Sequence, residues 1–205
     1  MAQSTDTGIG TKARIIDAAV QAIRTRGSAG ASARTIGEIG GFNQALIYYH
    51  FGNLNGLLVA ALKATSAERL ERYRRETEAV RDLPALVAVG RTLYAEDVAQ
   101  GHLTVLSELA SACMTHPDLR PEVLASLQPW IDLAKGLIDR LIEGTSFAVM
   151  LPTRDLAQGL VAAYMGMEML HHLDGDTART ERLFDTLSAF APVISMLLAA
   201  RTGAS

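Results

Sequence analysis

Residues 31–58, ASARTIGEIGGFNQALIYYHFGNLNGLL, put two very short helical runs on either side of a double glycine. Isolated helices under about 12 residues are marginal in water, so both runs need neighbours to brace them. Ser32 stands at the N-cap position of a run over 33–40, Gly40 and Gly41 supply the turn, and Asn43 caps a second run over 44–50. That second run ends in Tyr48, Tyr49, His50 and Phe51, and another helix begins near Leu54. The layout is that of a helix-turn-helix, in which a short rigid helix enters the major groove of duplex DNA and touches base edges.

The rest of the composition narrows the class. The chain has 205 residues, 49% of them hydrophobic, which is enough for one large or two small domains with a sizeable core. Aromatics are only 5% and Ala and Leu dominate, so helix is favoured over strand. No strict two-residue alternation bounded by turn signals occurs, and an all-α fold is expected. Apolar runs break well before 18 residues, which argues against a membrane span, and the N-terminus lacks the pattern of a signal peptide. The single Cys113 cannot form an internal disulfide, fits a reducing cytoplasm, and sits in an apolar helical context that makes it inert. There is no Ser-His-Asp spacing, phosphate-binding glycine loop or HExxH, so neither an enzyme nor a cofactor or metal is expected. Net charge is −3, but residues 1–63 carry six Lys/Arg against three acids, while the remainder carries 13 against 19. A basic head on an acidic body can attract phosphate locally.

Along the chain, residues 1–10 read as a disordered tail, 11–53 as the helix-turn-helix domain, 54–82 as a connecting helix, and 83–205 as a second domain. Helix 1 is predicted from Thr11 to Arg26, with Ile15, Ile16, Ala19 and Ile23 as its stripe and Gly27 as its stop. The helix from Leu54 turns highly charged between Glu68 and Glu78, with Glu68–Arg72 and Glu71–Arg75 as i,i+4 pairs on a solvated face. Pro and Gly then punctuate helices at about 84–100, 102–115, 118–143, 153–173 and 178–201, about nine helices in all.

In the helix-turn-helix, Ile36, Ile39, Phe42, Ile47 and Phe51 make a small core with the stripes of helices 1 and 4. The expected DNA-facing set is Ser32, Arg34, Asn43, Gln44, Ala45, Leu46, Tyr48, Tyr49 and His50. Gln44 can pair with adenine, and Ala45 or Leu46 can pack on a thymine methyl. The Tyr48 and Tyr49 hydroxyls and the His50 ring can reach phosphates, although Tyr48 fits a core position equally well. Arg34 can pair with guanine or phosphate at the start of helix 2, where free N–H groups also face an anion.

Residues 11–62 resemble the DNA-binding domain of TetR-family transcriptional regulators. The match runs through Ser32-x-Arg34-x-Ile36, Gly41-Phe42-Asn43 and Ile47-Tyr48-Tyr49-His50-Phe51 to Asn53 and Leu57-Leu58. The resemblance implies an all-helical homodimer on a roughly palindromic double-stranded operator, with the last two helices of each subunit forming a four-helix interface. It also implies a repressor that a small-molecule effector releases from DNA. Four positions depart from the pattern: Gly37 and Gly40 where Ala is usual, Leu46 where Thr or Ala is common, and Leu54 where a Lys usually reaches phosphate.

Two rows in the last helices bear on pairing. Leu156, Leu160, Ala163, Met167 and Leu170 match Leu183, Leu187, Phe190, Ile194 and Leu197 in spacing, and Gly159, Ala162 and Gly166 lie beside the first row. The expected interface is Leu156, Gly159, Leu160, Ala163, Gly166, Leu187, Phe190 and Ile194, with one thick monomer core as the alternative. An apolar ligand pocket is expected around His102, Leu106, Met114, Trp130, Tyr164, Glu168 and His171. Glu168 and His172 could hold a metal but read better as surface pairing. A different class remains open at this point: an all-helical small-molecule carrier or enzyme whose N-terminal head is structural.

Overall fold

The computed structural model describes residues 3–100 and 103–199. Ten α-helices follow in order among them: α1 (Gln3–Gly30), α2 (Ala33–Gly40), α3 (Ala45–Phe51), α4 (Leu54–Thr77), α5 (Leu83–Gln100), α6 (Leu103–Thr115), α7 (Arg120–Ile142), α8 (Phe147–Met150), α9 (Thr153–Asp174) and α10 (Thr177–Ala199). A 3₁₀ turn, Pro117–Leu119, precedes α7. The described residues contain no strand, as the Ala- and Leu-rich composition requires.

α1 starts at Gln3 rather than Thr11, so the segment read as a disordered tail is helical from Gln3. No proline interrupts Gln3–Thr11, and its lack of an apolar stripe left no period to read. Gly27 ends the regular helix where expected, at φ 65° and ψ 179°. α8 is an addition to the nine expected helices; four residues are too few for helical periodicity to show.

The chain forms two compact units, residues 1–69 with 101–126, and residues 70–100 with 127–205. This division differs from the expected boundary at residue 83. α6 packs on α1, so Val105, Leu106 and Leu109 are buried in the first unit instead of joining the helices that follow them. Chain order carries no trace of such a pairing, because the two partner faces lie some 90 residues apart. α7 spans both units, with Pro129 inside it just after the division.

In the first unit Ile15, Ile23, Ile36, Ile47, Leu57 and Leu109 are fully buried. Ile39, Phe42 and Phe51 surround them at half-buried positions. In the second unit α5 packs on α10, and Val87, Tyr94, Phe184 and Ala191 form a core cluster bordered by Leu83, Val98, Tyr164 and Met167. No single helix among the described residues is long and apolar enough to cross a membrane.

Candidate nucleic-acid interface

Local hydrogen bonds set the two short helices against each other. The Ser32 hydroxyl accepts from the Thr35 N–H at 3.1 Å and also meets the Thr35 hydroxyl at 2.9 Å. Gly41, at φ 64°, turns the chain out of α2 in the left-handed region, and the Phe42 N–H closes on the Gly37 carbonyl at 3.0 Å. Asn43 Oδ1 accepts from the Ala45 N–H at 2.9 Å and so caps α3. At the far end the Gly52 N–H reaches the Tyr48 carbonyl, and Asn53 Oδ1 accepts from the Gly56 N–H at 2.8 Å. Every one of these bonds spans five residues or fewer, which is why the turn could be placed from sequence.

The glycines that depart from the family pattern have packing reasons. A Cβ on Gly37 would stand 2.8 Å from the Phe42 carbonyl oxygen, so the close approach of the turn requires glycine there. Gly56 is tighter still, since its Cβ would overlap the Phe51 carbonyl oxygen. Gly56→Ala is expected to destabilise the protein by about 1–2 kcal/mol, because forcing backbone apart (roughly 1–3 kcal/mol) outweighs the helix propensity gained (at most about 1 kcal/mol). A urea melt that moves to higher denaturant would contradict this account of the α3–α4 junction.

Ile47 is fully buried, and its burial aims the opposite face of α3 outward. Gln44, Ala45, Tyr48 and Tyr49 are exposed, Tyr49 at 81%. Leu46 and His50 are half-buried, and the His50 ring meets Tyr49 edge-on at 4.8 Å between centroids. Ser32 and Asn43 are exposed but already engaged as caps. Arg34 stands outward, yet its Nε donates to Glu38 Oε1 at 2.9 Å, a pair invisible in the expectation of a free guanidinium. An exposed i,i+4 pair is worth about 0.3–0.5 kcal/mol, so a phosphate can displace Glu38 at little cost. Gln44, Tyr49 and Arg34 are thus all offered to solvent by the first unit.

Residues 15–61 of this head match the family model described as bacterial regulatory proteins, tetR family. That stretch is a TetR-type helix-turn-helix domain. Solved structures agree on the fold of the whole chain. The fatty acid degradation regulator FadR from Bacillus halodurans superposes with a TM-score of 0.65 at 20% identity, covering 95% of this chain and 97% of that one. A TetR-family transcriptional regulator from Cytophaga hutchinsonii gives 0.70 at 17% identity, with 97% and 98% covered. The multidrug binding protein EbrR, solved with imidazole, gives 0.62 at 23% identity, with 88% and 94% covered. No curated protein sequence matches the chain.

The residues expected to line an effector pocket do not all gather. His102 lies outside the described residues. Leu106 is buried in the first unit, and Met114, also there, is 80% exposed because α6 turns its apolar side to α1. Trp130, Tyr164, Glu168 and His171 belong to the second unit. There, Trp130 meets Tyr73 edge-on at 5.1 Å, and Tyr164 meets Tyr94 at 5.6 Å. Burial pushes the Tyr94 phenol above its usual range; the Thr180 hydroxyl opposes that rise, and the negative charge of buried Glu168 adds to it. The His171 carbonyl accepts the Gly175 N–H at 2.8 Å and so ends α9, while the His172 side chain is outside the described set.

Sequence reasoning missed the polar centre of this unit. Asp97, 1% exposed, accepts from Arg72 Nη2 at 2.6 Å, from Tyr73 OH at 2.7 Å and from Tyr164 OH at 2.6 Å. Arg72 also pairs with Glu96 at 3.1 Å, in place of the expected partner Glu68. Glu71 pairs with Arg74 at 3.7 Å rather than with Arg75. The charged stretch of α4 therefore has one face turned inward, and the signal for it was Tyr73, an aromatic among charges.

On α9 and α10, the expected interface residues Leu156, Leu160, Leu187, Phe190 and Ile194 are all exposed. Ala163 is exposed too, and among the described residues nothing lies within 4 Å of a Cβ built on Gly159 or Gly166. Buried Ala157, Phe184 and Ala191 mark the opposite sides of the two helices, which face the monomer core.

Proposed function

We propose that this chain is a TetR-family transcriptional regulator, a cytoplasmic homodimeric repressor that reads a roughly palindromic operator and lets go when a small apolar molecule binds. The observation that carries the reading is the division of α3: Ile47 is held in the core while Gln44, Tyr48 and Tyr49 stand clear of it. Gln44 then reads a base edge, Ala45 and Leu46 lie against a thymine methyl, and the tyrosine hydroxyls, with His50, fix the register on phosphates. Ser32 and Asn43 contribute as caps that aim free N–H groups at the backbone of the duplex. Two copies set the half-site spacing, which makes operator symmetry mirror protein symmetry.

The effector half of the proposal rests on likeness of fold to FadR, a fatty acid degradation regulator, and to EbrR, a multidrug binding protein. The Tyr73, Tyr94, Trp130 and Tyr164 rings, with Glu168 and His171 near by on α9, supply the apolar and polar groups such a ligand would use. Release requires that the ligand prefer a state in which the two heads are mis-spaced; equal affinity for both states would shift nothing.

Selection of bound fragments from random DNA, followed by gel shifts with lipophilic compounds, tests both halves. Within it, Tyr49→Phe should weaken specific and random duplexes alike by about 1 kcal/mol, roughly fivefold, as expected for one lost hydrogen bond to phosphate. A loss confined to the selected sequence would instead make Tyr49 a base reader.

A further inference from the structure

The helix-turn-helix carries one more built feature. Gly40 has no side chain, and the space is taken by the ring of Phe42: a Cβ at position 40 would overlap Phe42 Cε1 and stand 2.6 Å from Cδ1 and 2.9 Å from Ala18 Cβ. Arg14 of α1 lies over that ring, its guanidinium carbon 5.8 Å from the centroid. Arg14 is exposed, and among the described residues no carboxylate pairs with it. Two other cations of the first unit are engaged with carboxylates, Arg34 with Glu38 and Lys63 with Glu122. Phe42 is followed directly by Asn43 and Gln44, the exposed entry to α3.

From this geometry we infer that Arg14 is a phosphate-binding residue of the DNA interface, pre-oriented by stacking on Phe42, and that Gly40 is glycine so that the stacking ring fits. The inference rests on the DNA-reading function proposed above and adds to it a cation on α1, outside the two helices of the motif. Stacking on an aromatic face restricts the long Arg side chain before DNA arrives, so less freedom is lost on contact. A phosphate contact carries no sequence information, so its loss is felt on any duplex and in the salt dependence.

The test is binding of a fluorescent random-sequence duplex by the full chain over a series of salt concentrations. Arg14→Gln should lower affinity roughly fivefold to tenfold at low salt and reduce the slope of log K against log salt by about one. Arg14→Lys keeps the charge and should keep the slope. Phe42→Leu keeps the charge but not the platform, and should lower affinity about twofold to threefold with the slope retained. If the wild-type protein binds and Arg14→Gln leaves the slope unchanged, the inference is overturned while the DNA-reading function stands. If the wild-type protein ignores every duplex at low salt, both fall together.

Discussion

Asp97→Ala should lower the unfolding free energy by about 3 kcal/mol, a large loss for one polar side chain. Three donors converge on this buried carboxylate from α4 and α9. Removing it does not orphan all three. Arg72 retains Glu96, and the Tyr73 and Tyr164 hydroxyls, 2.8 Å apart, can bond to each other. What remains is one unsatisfied hydroxyl proton, a weakened guanidinium pair and a small void, which places the cost at the lower end of the roughly 3–5 kcal/mol seen when a buried ion pair loses one partner. Asp97→Asn keeps the shape and one acceptor and should cost about half as much. Urea unfolding measures both; a loss below about 1 kcal/mol for the alanine variant would mean that the network contributes little beyond filling space.

The double substitution Phe190→Asp with Ile194→Asp should yield a folded monomer. Both side chains are exposed, so their replacement leaves the α5–α10 core cluster intact. Two charges on an apolar face prevent a second copy from covering it. Affinity for a two-half-site operator should then fall by about 10²–10⁴-fold, the contribution of linking two binding events, while affinity for an isolated half-site stays near its original value. Gly166→Leu approaches the same end by bulk, since its Cβ has open space within the subunit. Sedimentation decides the matter: variants that still run as dimers would remove α9 and α10 from the interface.

How far the sequence could be read depended on the range of the interactions. Ser32, Gly41 and Asn43 act through bonds to residues at most five positions away, so their residue types alone located the turn. Ile47 and Tyr49 could be assigned to opposite faces because α3 is too short to wander from helical periodicity. The stripes of α9 and α10 were legible as apolar rows, but only the coordinates separate the rows that face the subunit, with Ala157 and Ala191, from those that face solvent. Asp97, by contrast, takes its meaning from Arg72, Tyr73 and Tyr164, which lie 24 to 67 positions away. The grouping of α6 with α1 was hidden for the same reason, and Met114 changed from expected lining residue to surface residue with it. Arg14 was counted as charge and nothing more, because its platform on Phe42 depends on the space left at Gly40.

Gly159 and Gly166 cost α9 up to about 1 kcal/mol each relative to alanine, and among the described residues no close packing at either position offsets that loss. If only an approaching second backbone makes use of the bare spots, the helix is held below its own optimum until it meets its twin. Thermal resistance of the protein would then climb with the amount in solution, by mass action, and a cell that makes little of it would hold a softer molecule than one that makes much.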